Sequence, residues 1–470
     1  MNNNYINNIN NNFIIKTITP FIKKENIQAY IVGGFVRDCL LEKDSCDVDI
    51  AVKQGYSKLF AQNLADYLSG YFVELDEVNK IYRVVFSDKQ NYVDIADICG
   101  SNIEEDLKRR DFTINSLAYD LKNAKLIDVT DGIRDLEQKI VREISAENIT
   151  DDPVRILRAF RFQSQLGFEM TKTLEDLIKK NYLLLNKTAK ERINAELIKL
   201  FGGRHAPETL RSLYKTKILE MLIPEVTEIA KIPPNSHHHL NLFEHSVETV
   251  NQVQLFYDMS KEEVKQHLDE IFLGGQKRLC YLKFAAFLHD VGKPVTWKIE
   301  PDTGRHRFIM HDSEGAKLIV NTLRNLKFSK KQIAYIQKII KYHIYPASVV
   351  TAKEAGEKAY MRFYRKMEDE TIDTIAVAYA DRMSALGPEV TQEMLKQNID
   401  GLLSLLGGYL KEKNKLAPLP KLLDGKEIME ILDIPASPEL GNIIEQLKEA
   451  QLNGDVNTKD EAVEFIKGIC

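Results

Sequence analysis

The stretch IVGGFVRDCLLEKDSCDVDI, residues 31–50, ends an apolar run in a Gly pair, continues into a short helical segment and then fixes two carboxylates one residue apart on the next apolar run. Side chains alternate along a strand, so Asp47 and Asp49 share one face and point at one spot. Paired hard oxygen donors suit Mg²⁺, which takes one or two carboxylates together with substrate phosphate oxygens. Two such ions can activate an attacking hydroxyl and neutralise a leaving pyrophosphate. Upstream, Gly33 and Gly34 have no side chains, so backbone N–H groups can approach a triphosphate at the start of the helix FVRDCLL, with Arg37 adding charge. Asp94, in the strand-like NYVDIAD, is a geometric candidate for a third carboxylate. Taken alone, the stretch also reads as a strand, a turn and a polar strand edge.

Outward from this stretch, residues 25–130 alternate β-branched runs (AYIVGG, CDVDIAV, YFVELD, IYRVVF, AKLIDV) with helical segments such as YSKLFAQNLADYLSG. From about 133 onward, 3.6-residue periodicity dominates, so an α+β front part precedes an all-helical remainder. A chain of 470 residues exceeds one compact core, and about three or four domains are expected. Pro- and Gly-containing breaks at 202–208, 232–239 and 416–425 are candidate boundaries. Hydrophobic residues at 44% and charged residues at 28% leave no apolar run long enough for a bilayer, so no membrane partner is expected. The Asn-rich opening MNNNYINNINNN has neither part of a signal peptide and reads as a disordered lead-in. Cys39, Cys46, Cys99, Cys280 and Cys470 are scattered and odd in number, which points to thiols in a reducing cytoplasm. A net charge of −5 gives no global attraction to nucleic acid. An RNA site must therefore be a local patch, and LKRRD (107–111), RILRAFRF (155–162) and KKNYLLLNKTAKERIN (179–194) are candidates, each also readable as a solvated helix face.

GGFVRD followed by DVD, and then EEDLKRRDFTINSLAYD at 104–120, resembles the head domain of bacterial class II tRNA nucleotidyltransferases and their poly(A) polymerase relatives, within the polymerase-β-like superfamily. The resemblance implies that Arg110, Asp111, Phe112, Thr113 and Asn115 line the nucleotide site, with the Arg and Asn near sugar and triphosphate. It also implies Mg²⁺ on Asp47 and Asp49, with tRNA, CTP and ATP as partners. Only a handful of residues separate VDIAD from RRDFTIN, which leaves little room for the flexible loop that family members adding the whole CCA end often carry. ELDEVNKIYR is an alternative place for it. Complete CCA addition, addition of CC or A alone, and poly(A) synthesis all stay open at this point.

DDPVRILRAFRF at 151–162 opens with acids and Pro at a helix start, so Asp152 and Arg155 are expected three apart on one helical face. A carboxylate accepts from the exocyclic amine of cytosine or adenine, and a guanidinium donates to ring acceptors, which would admit CTP and ATP and reject UTP and GTP. The same pair also reads as a capping Asp with an i,i+3 ion pair, but the family resemblance makes it the base-reading element, with Arg158 in the nucleotide-binding set. Glu191, Arg192 and Glu196 in TAKERINAEL resemble a supporting family motif.

Five further segments, FEHSVE, FLHDVGK, FIMHDSEGA, KYHIYP and AYADRMSA, supply His245, His289, Asp290, His311, His343 and Asp381. Imidazoles combined with carboxylates suit transition metals. Order and flanks resemble the HD phosphohydrolase domain. That resemblance implies one ion on His245, His289, Asp290 and Asp381, a second admitted by the other two histidines, and a metal among Mn, Ni, Co, Fe and Zn. HHH at 237–239 reads as a polar loop with a weak claim on substrate or metal. The expected layout is a lead-in at 1–24, a nucleotidyltransferase head at 25–140, a helical neck at 141–232, an HD domain at 233–390 and a helical tail at 391–470, within which 422–467 resembles the family's acceptor-stem holder. The rival reading is an HD metal hydrolase whose head only binds RNA. Paired metal-binding carboxylates argue against it, since a binding module does not need them.

Overall fold

The computed structural model describes residues 9–43, 45, 47–352, 356–413 and 420–469. Residues 1–8 of the lead-in, 416–419 of the last break, Cys46 and Cys470 lie outside the described residues. The chain forms two compact units, 1–218 and 219–470.

The first unit is built on a seven-stranded sheet of β1 (Ala29–Val32), β2 (Val48–Val52), β3 (Tyr71–Asp76), β4 (Ile81–Val85), β5 (Tyr92–Asp97), β6 (Leu117–Asp120) and β7 (Lys125–Asp128), in the order β3-β4-β5-β2-β1-β6-β7. β2 and β5 pair in parallel, with Asp49 opposite Asp94, while the other neighbours are antiparallel. A parallel pair needs a crossover connection. The chain makes it through the helix Ser57–Leu68, which buries Phe60, Ala61, Leu64 and Ala65, and through the β3–β4 hairpin. Residues 77–80 join β3 to β4 and residues 98–102 join β5 to the helix Ile103–Lys108, so both places considered for a long loop are short. The turn at 202–208 lies inside this unit, between the helices Lys190–Phe201 and Ala206–Lys215. There Gly203 is required by close approach, because a Cβ would meet Ser164 Oγ at 2.1 Å.

The lead-in departs from expectation. Residues 13–24 are a helix, Phe13–Lys24, N-capped by Asn12, whose side chain accepts from the amides of Ile14 and Ile15. Its buried stripe of Ile14, Ile15, Ile18, Phe21 and Ile22 outweighs the internal Pro20. Phe21 meets Phe60 and Tyr67 with ring centroids at 5.9 and 5.0 Å.

The second unit is helical apart from a hairpin, Trp297–Ile299 with His306–Phe308. Helices Leu242–Met259, Arg278–Leu288, Lys330–Tyr342 and Thr371–Ser384 form its centre, and Asp373 is buried among Arg278, His267 and Tyr335. The terminal helices Gly425–Leu432, Pro438–Asn453 and Lys459–Ile469 close around Ile428, Ile443, Leu447 and Ile466. Among the described residues no helix is long and apolar enough to cross a membrane.

Phe21 is only 5% exposed, so Phe21→Ala is expected to lower the stability of the first unit by about 3 kcal/mol. Chemical denaturation with and without the substitution checks this, and an unchanged midpoint would mean that the helix Phe13–Lys24 is not part of the core.

Candidate active site and candidate metal centre

A cavity of about 370 Å³ opens in the first unit where β1 ends, and its lining includes Gly33, Gly34, Arg37, Asp47, Asp49, Arg110, Asp111, Asn115, Arg155 and Arg158. These residues come from four segments distant in sequence. Gly33 caps the helix Gly34–Leu40 with φ 76°, a backbone conformation open to glycine. Its amide donates to Leu117 O across to β6, which brings the turn Thr113–Asn115 alongside. A Cβ on Gly33 would lie 3.2 Å from Arg110 Nη1 and 3.7 Å from Asp49 Oδ2.

Burial first, then the Asp47 and Asp94 carboxylates, push Asp49 up to about 6, and Arg110 and Arg83 offset only part of this. The excess of carboxylate charge around oxygen-only donors is what a hard divalent cation relieves, so Asp47 and Asp49 fit Mg²⁺. Asp94 lies beside Asp49 in register, but both of its oxygens accept from Arg83, at 2.7 and 2.8 Å, and Arg83 in turn stacks on Tyr92 at 3.9 Å.

The opposite wall is a chain of two hydrogen bonds and an ion pair. Arg37 Nη1 donates to Asn115 Oδ1 at 2.7 Å, Asn115 Nδ2 donates to Asp111 Oδ1 at 3.0 Å, and Arg158 Nε lies 3.0 Å from Asp111 Oδ2. The chain holds two guanidiniums at fixed spacing, an arrangement suited to phosphate oxygens. Arg161, Phe162, Gln165, Asp38 and Ser45 also line the cavity and were not singled out from sequence. Arg155, Arg158, Phe162 and Gln165 follow one helical face of Val154–Leu166, so that periodicity was the available signal.

Asp152 differs from expectation. It lies in the non-helical junction before Val154–Leu166, at φ −131°, rather than on that helix with Arg155. Arg192 clasps both of its oxygens at 2.9 and 2.8 Å, and Arg155 Nε is 3.8 Å away. Arg155 lines the cavity while its Nη1 donates to Arg109 O and Asn148 O. Asp152 is not among the lining residues. Glu196 lies 3.3 Å from Arg161.

In the second unit all six expected residues converge. Nε2 of His245 is 3.2 Å from Nε2 of His289, 3.4 Å from Asp290 Oδ2 and 3.1 Å from Asp381 Oδ1. His311 Nε2 is 3.2 Å, and His343 Nε2 3.8 Å, from Asp290 Oδ1. Nδ1 of His289, His343 and His311 contacts the carbonyl three residues back, at 2.7, 2.7 and 2.8 Å. For His289 and His343 these are carbonyls of the last helical turn, and Ala286 O also accepts from the His289 backbone N–H. Each such bond places the proton on Nδ1 and aims the Nε2 lone pair inward, as in metal-ligating imidazoles. Neither oxygen of buried Asp290 has a well-formed hydrogen bond, although Lys293 Nζ lies 2.5 Å from Oδ2. Burial works against charge on His289, but Asp290 and Asp381 outweigh it and push the imidazole up to about 10, whereas burial holds His343 down to about 3. One imidazole proton thus stands where a cation fits. Inward-facing nitrogens with carboxylates suit a transition-metal ion. His238 also reaches this cluster.

Comparison with known proteins gives the family. A Poly A polymerase head domain matches residues 29–142, a probable RNA and SrmB-binding site of polymerase A matches 167–229, and an HD domain matches 242–386. An A-adding tRNA nucleotidyltransferase of Deinococcus radiodurans is 31% identical over 448 residues, covering 93% of this chain and 95% of the relative. The chain belongs to the tRNA nucleotidyltransferase family. A CC-adding tRNA nucleotidyltransferase of Thermus thermophilus is 28% identical over 443 residues, with 93% of each chain covered. The solved Thermotoga maritima CCA-adding enzyme in complex with tRNA shares the fold at TM-score 0.54 and 23% identity, over 97% of this chain and 94% of that one. The chain is a nucleotidyltransferase, and its head and HD domains imply use of divalent metal ions.

Gly33→Ala forces a side chain into the space between Arg110 and Asp49 and strains the backbone by about 1–3 kcal/mol. Expressed in the transition state, that lowers kcat/KM for nucleotide incorporation by about 5-fold to 150-fold. Steady-state incorporation with a Tm measured alongside checks it, and wild-type kinetics would show that the close approach is not part of the site.

Proposed function

We propose that this tRNA nucleotidyltransferase adds C and A nucleotides of the CCA end from CTP and ATP to the 3′ end of tRNA, without a template, in the cytoplasm. The supporting observation is the single cavity in which the Asp47–Asp49 pair faces Arg37, Arg110, Arg155 and Arg158. Mg²⁺ on Asp47 and Asp49, when bound, lowers the charge barrier to attack and stabilises pyrophosphate as it leaves. Gly33, Gly34 and Arg37 receive the triphosphate, and Arg110, Asp111, Asn115 and Arg158 fix sugar and phosphates. The terminal hydroxyl oxygen of tRNA bonds to the α-phosphorus, the α–β anhydride bond breaks, and the hydroxyl proton is given up to the surroundings. Positioning of this kind supplies most of the acceleration in phosphoryl chemistry. Arg155 donates to the base edge, and Asp152, held by Arg192, accepts the exocyclic amine.

A second reading is favoured by relatives that match along nearly the whole chain, one A-adding and three CC-adding. On that reading, only part of the end is added, in keeping with the short connections at 77–80 and 98–102. The layout in this proposal is the head at 25–140, neck at 141–232, HD domain at 233–390 and tail at 391–470. His245, His289, Asp290, His311, His343 and Asp381 hold one or two ions among Mn, Ni, Co, Fe and Zn for phosphoester hydrolysis.

Transcripts of tRNA lacking CCA, and of tRNA ending in CC, are incubated with CTP, ATP or both, and product length is read. Full CCA on the first substrate supports the first reading. A added only to CC ends, or a stop at CC with ATP present, selects the second, and no addition to either overturns both. Asp49→Ala is expected to abolish addition without lowering Tm, since it removes a repelling carboxylate.

The base-reading pair has its own test. Arg155→Ala is expected to cost CTP and ATP about 1–3 kcal/mol each. Arg192→Ala leaves Asp152 unheld, so UTP incorporation rises relative to CTP in kcat/KM. Equal ratios in both variants would place base reading elsewhere.

Asp290→Ala is expected to remove metal-dependent phosphomonoester hydrolysis and leave nucleotide addition within a few-fold. Collapse of addition in a folded variant would tie the HD centre to the transfer reaction.

A further inference from the structure

The HHH run at 237–239 sends its three imidazoles to three different places. His237 Nε2 lies 3.0 Å from Arg305 Nη2, and Leu386 N donates to His239 Nδ1 at 3.3 Å. His238 goes inward, where its ligand atom and those of His245, Asp290 and Asp381 all lie within 4.8 Å of one another. Its ring meets that of His245 edge-on at 4.7 Å.

The loop that presents His238 is held on both sides. Asn235 Oδ1 accepts from the amides of His237 and His238 at 3.0 and 3.1 Å, and Asn235 N donates to His238 O at 2.9 Å. Gly387 N and Glu389 N donate to His237 O and Ser236 O at 2.8 and 3.0 Å. A Cβ on Gly387 would lie 2.3 Å from the His237 carbonyl carbon, so only glycine permits this seating. Asn235 Oδ1 is also 3.2 Å from His238 Nδ1. A carbonyl oxygen at Nδ1 is the arrangement found at His289, His311 and His343, and it leaves Nε2 as the donor.

We propose that His238 is a further ligand of the HD centre, joining His245, Asp290 and Asp381, whose ligand atoms lie within 4.8 Å of its own. The inference rests on the metal-centre reading given above.

The test uses the full chain, stripped with chelator and titrated with Co²⁺, with bound metal measured by mass spectrometry and coordination by visible absorption. His238→Ala is expected to weaken the tighter Co²⁺ about 10–100-fold and to change its absorption band. His237→Ala, in the same loop, is expected to bind as wild type. Wild-type affinity and spectrum in His238→Ala overturn the assignment of His238 alone. Equal failure of wild type and Asp290→Ala to bind Co²⁺ overturns the centre as well. Should His238→Ala misfold, histidine acylation of wild type by diethyl pyrocarbonate decides. Protection of His238 but not His237 by Co²⁺ supports the ligand role, and equal labelling of His238 with and without metal overturns it.

Discussion

The parallel pairing of β2 with β5 imposes the constraint around which the first unit is arranged, because its register sets Asp49 beside Asp94, and Asp47, immediately before β2, adds its charge to Asp49. Like charges at such spacing repel by several kcal/mol where water is partly excluded, on the order of 4 kcal/mol at 4 Å for an intermediate dielectric. The fold answers with cations placed one by one. Arg83 takes both oxygens of Asp94 and is itself held flat on Tyr92. Arg110 reaches past Gly33, where a Cβ would lie 3.2 Å from its Nη1. Asp49 is left incompletely balanced, with its carboxyl pushed up to about 6. Sheet burial sustains this cost, and the imbalance is where a divalent cation gains most.

The second unit solves the opposite problem. Its cluster is almost wholly buried, with His245, His289, Asp290 and His343 at 1% exposure or less, and burial penalises charge on imidazole and carboxylate alike. His289 and His343 sit just past helix ends, where carbonyls of the last turn accept from Nδ1 and orient the rings. The two sites thus differ in donor chemistry for physical reasons. Oxygen donors at a wide cavity suit a cation that keeps its own waters, and buried nitrogens suit one that sheds them.

Legibility from sequence followed the range over which each signal acts. DVD was readable because a period of two carries direction, and Asp94 because it lies on a strand with the same period. The six HD residues were readable from order and flanks, though they span about a third of the chain. Arg83 was not, since its partnership with Asp94 depends on the register of the β4–β5 pairing, which no local pattern states. Arg161 and Gln165 had a signal, a helical face continuing from Arg155, that the charge run obscured. Ile14, Ile15, Ile18, Phe21 and Ile22 likewise formed an apolar stripe, masked by the Asn run before it and by Pro20. His238 was indistinct because three adjacent imidazoles look alike until a loop with fixed ends gives each a direction.

Asp152 shows why residue types alone did not settle its geometry. Spacing placed it on a helix with Arg155, but Pro153 is the N-cap of that helix and Asp152 lies in the junction before it. A carboxylate in a junction has no helical neighbours to fix its rotamer, so its orientation must come from elsewhere, and here it comes from Arg192 on the helix Lys190–Phe201. The clasp uses one lone pair of each oxygen and leaves a carboxylate able to accept again. Discrimination between an amine and a carbonyl depends on that acceptor staying fixed, because a mobile carboxylate can turn away from the wrong base and escape the repulsion. On the proposed reading, base selection draws on two helices and the junction between segments, with Arg155 supplying donors from one and Arg192 supplying rigidity from the other.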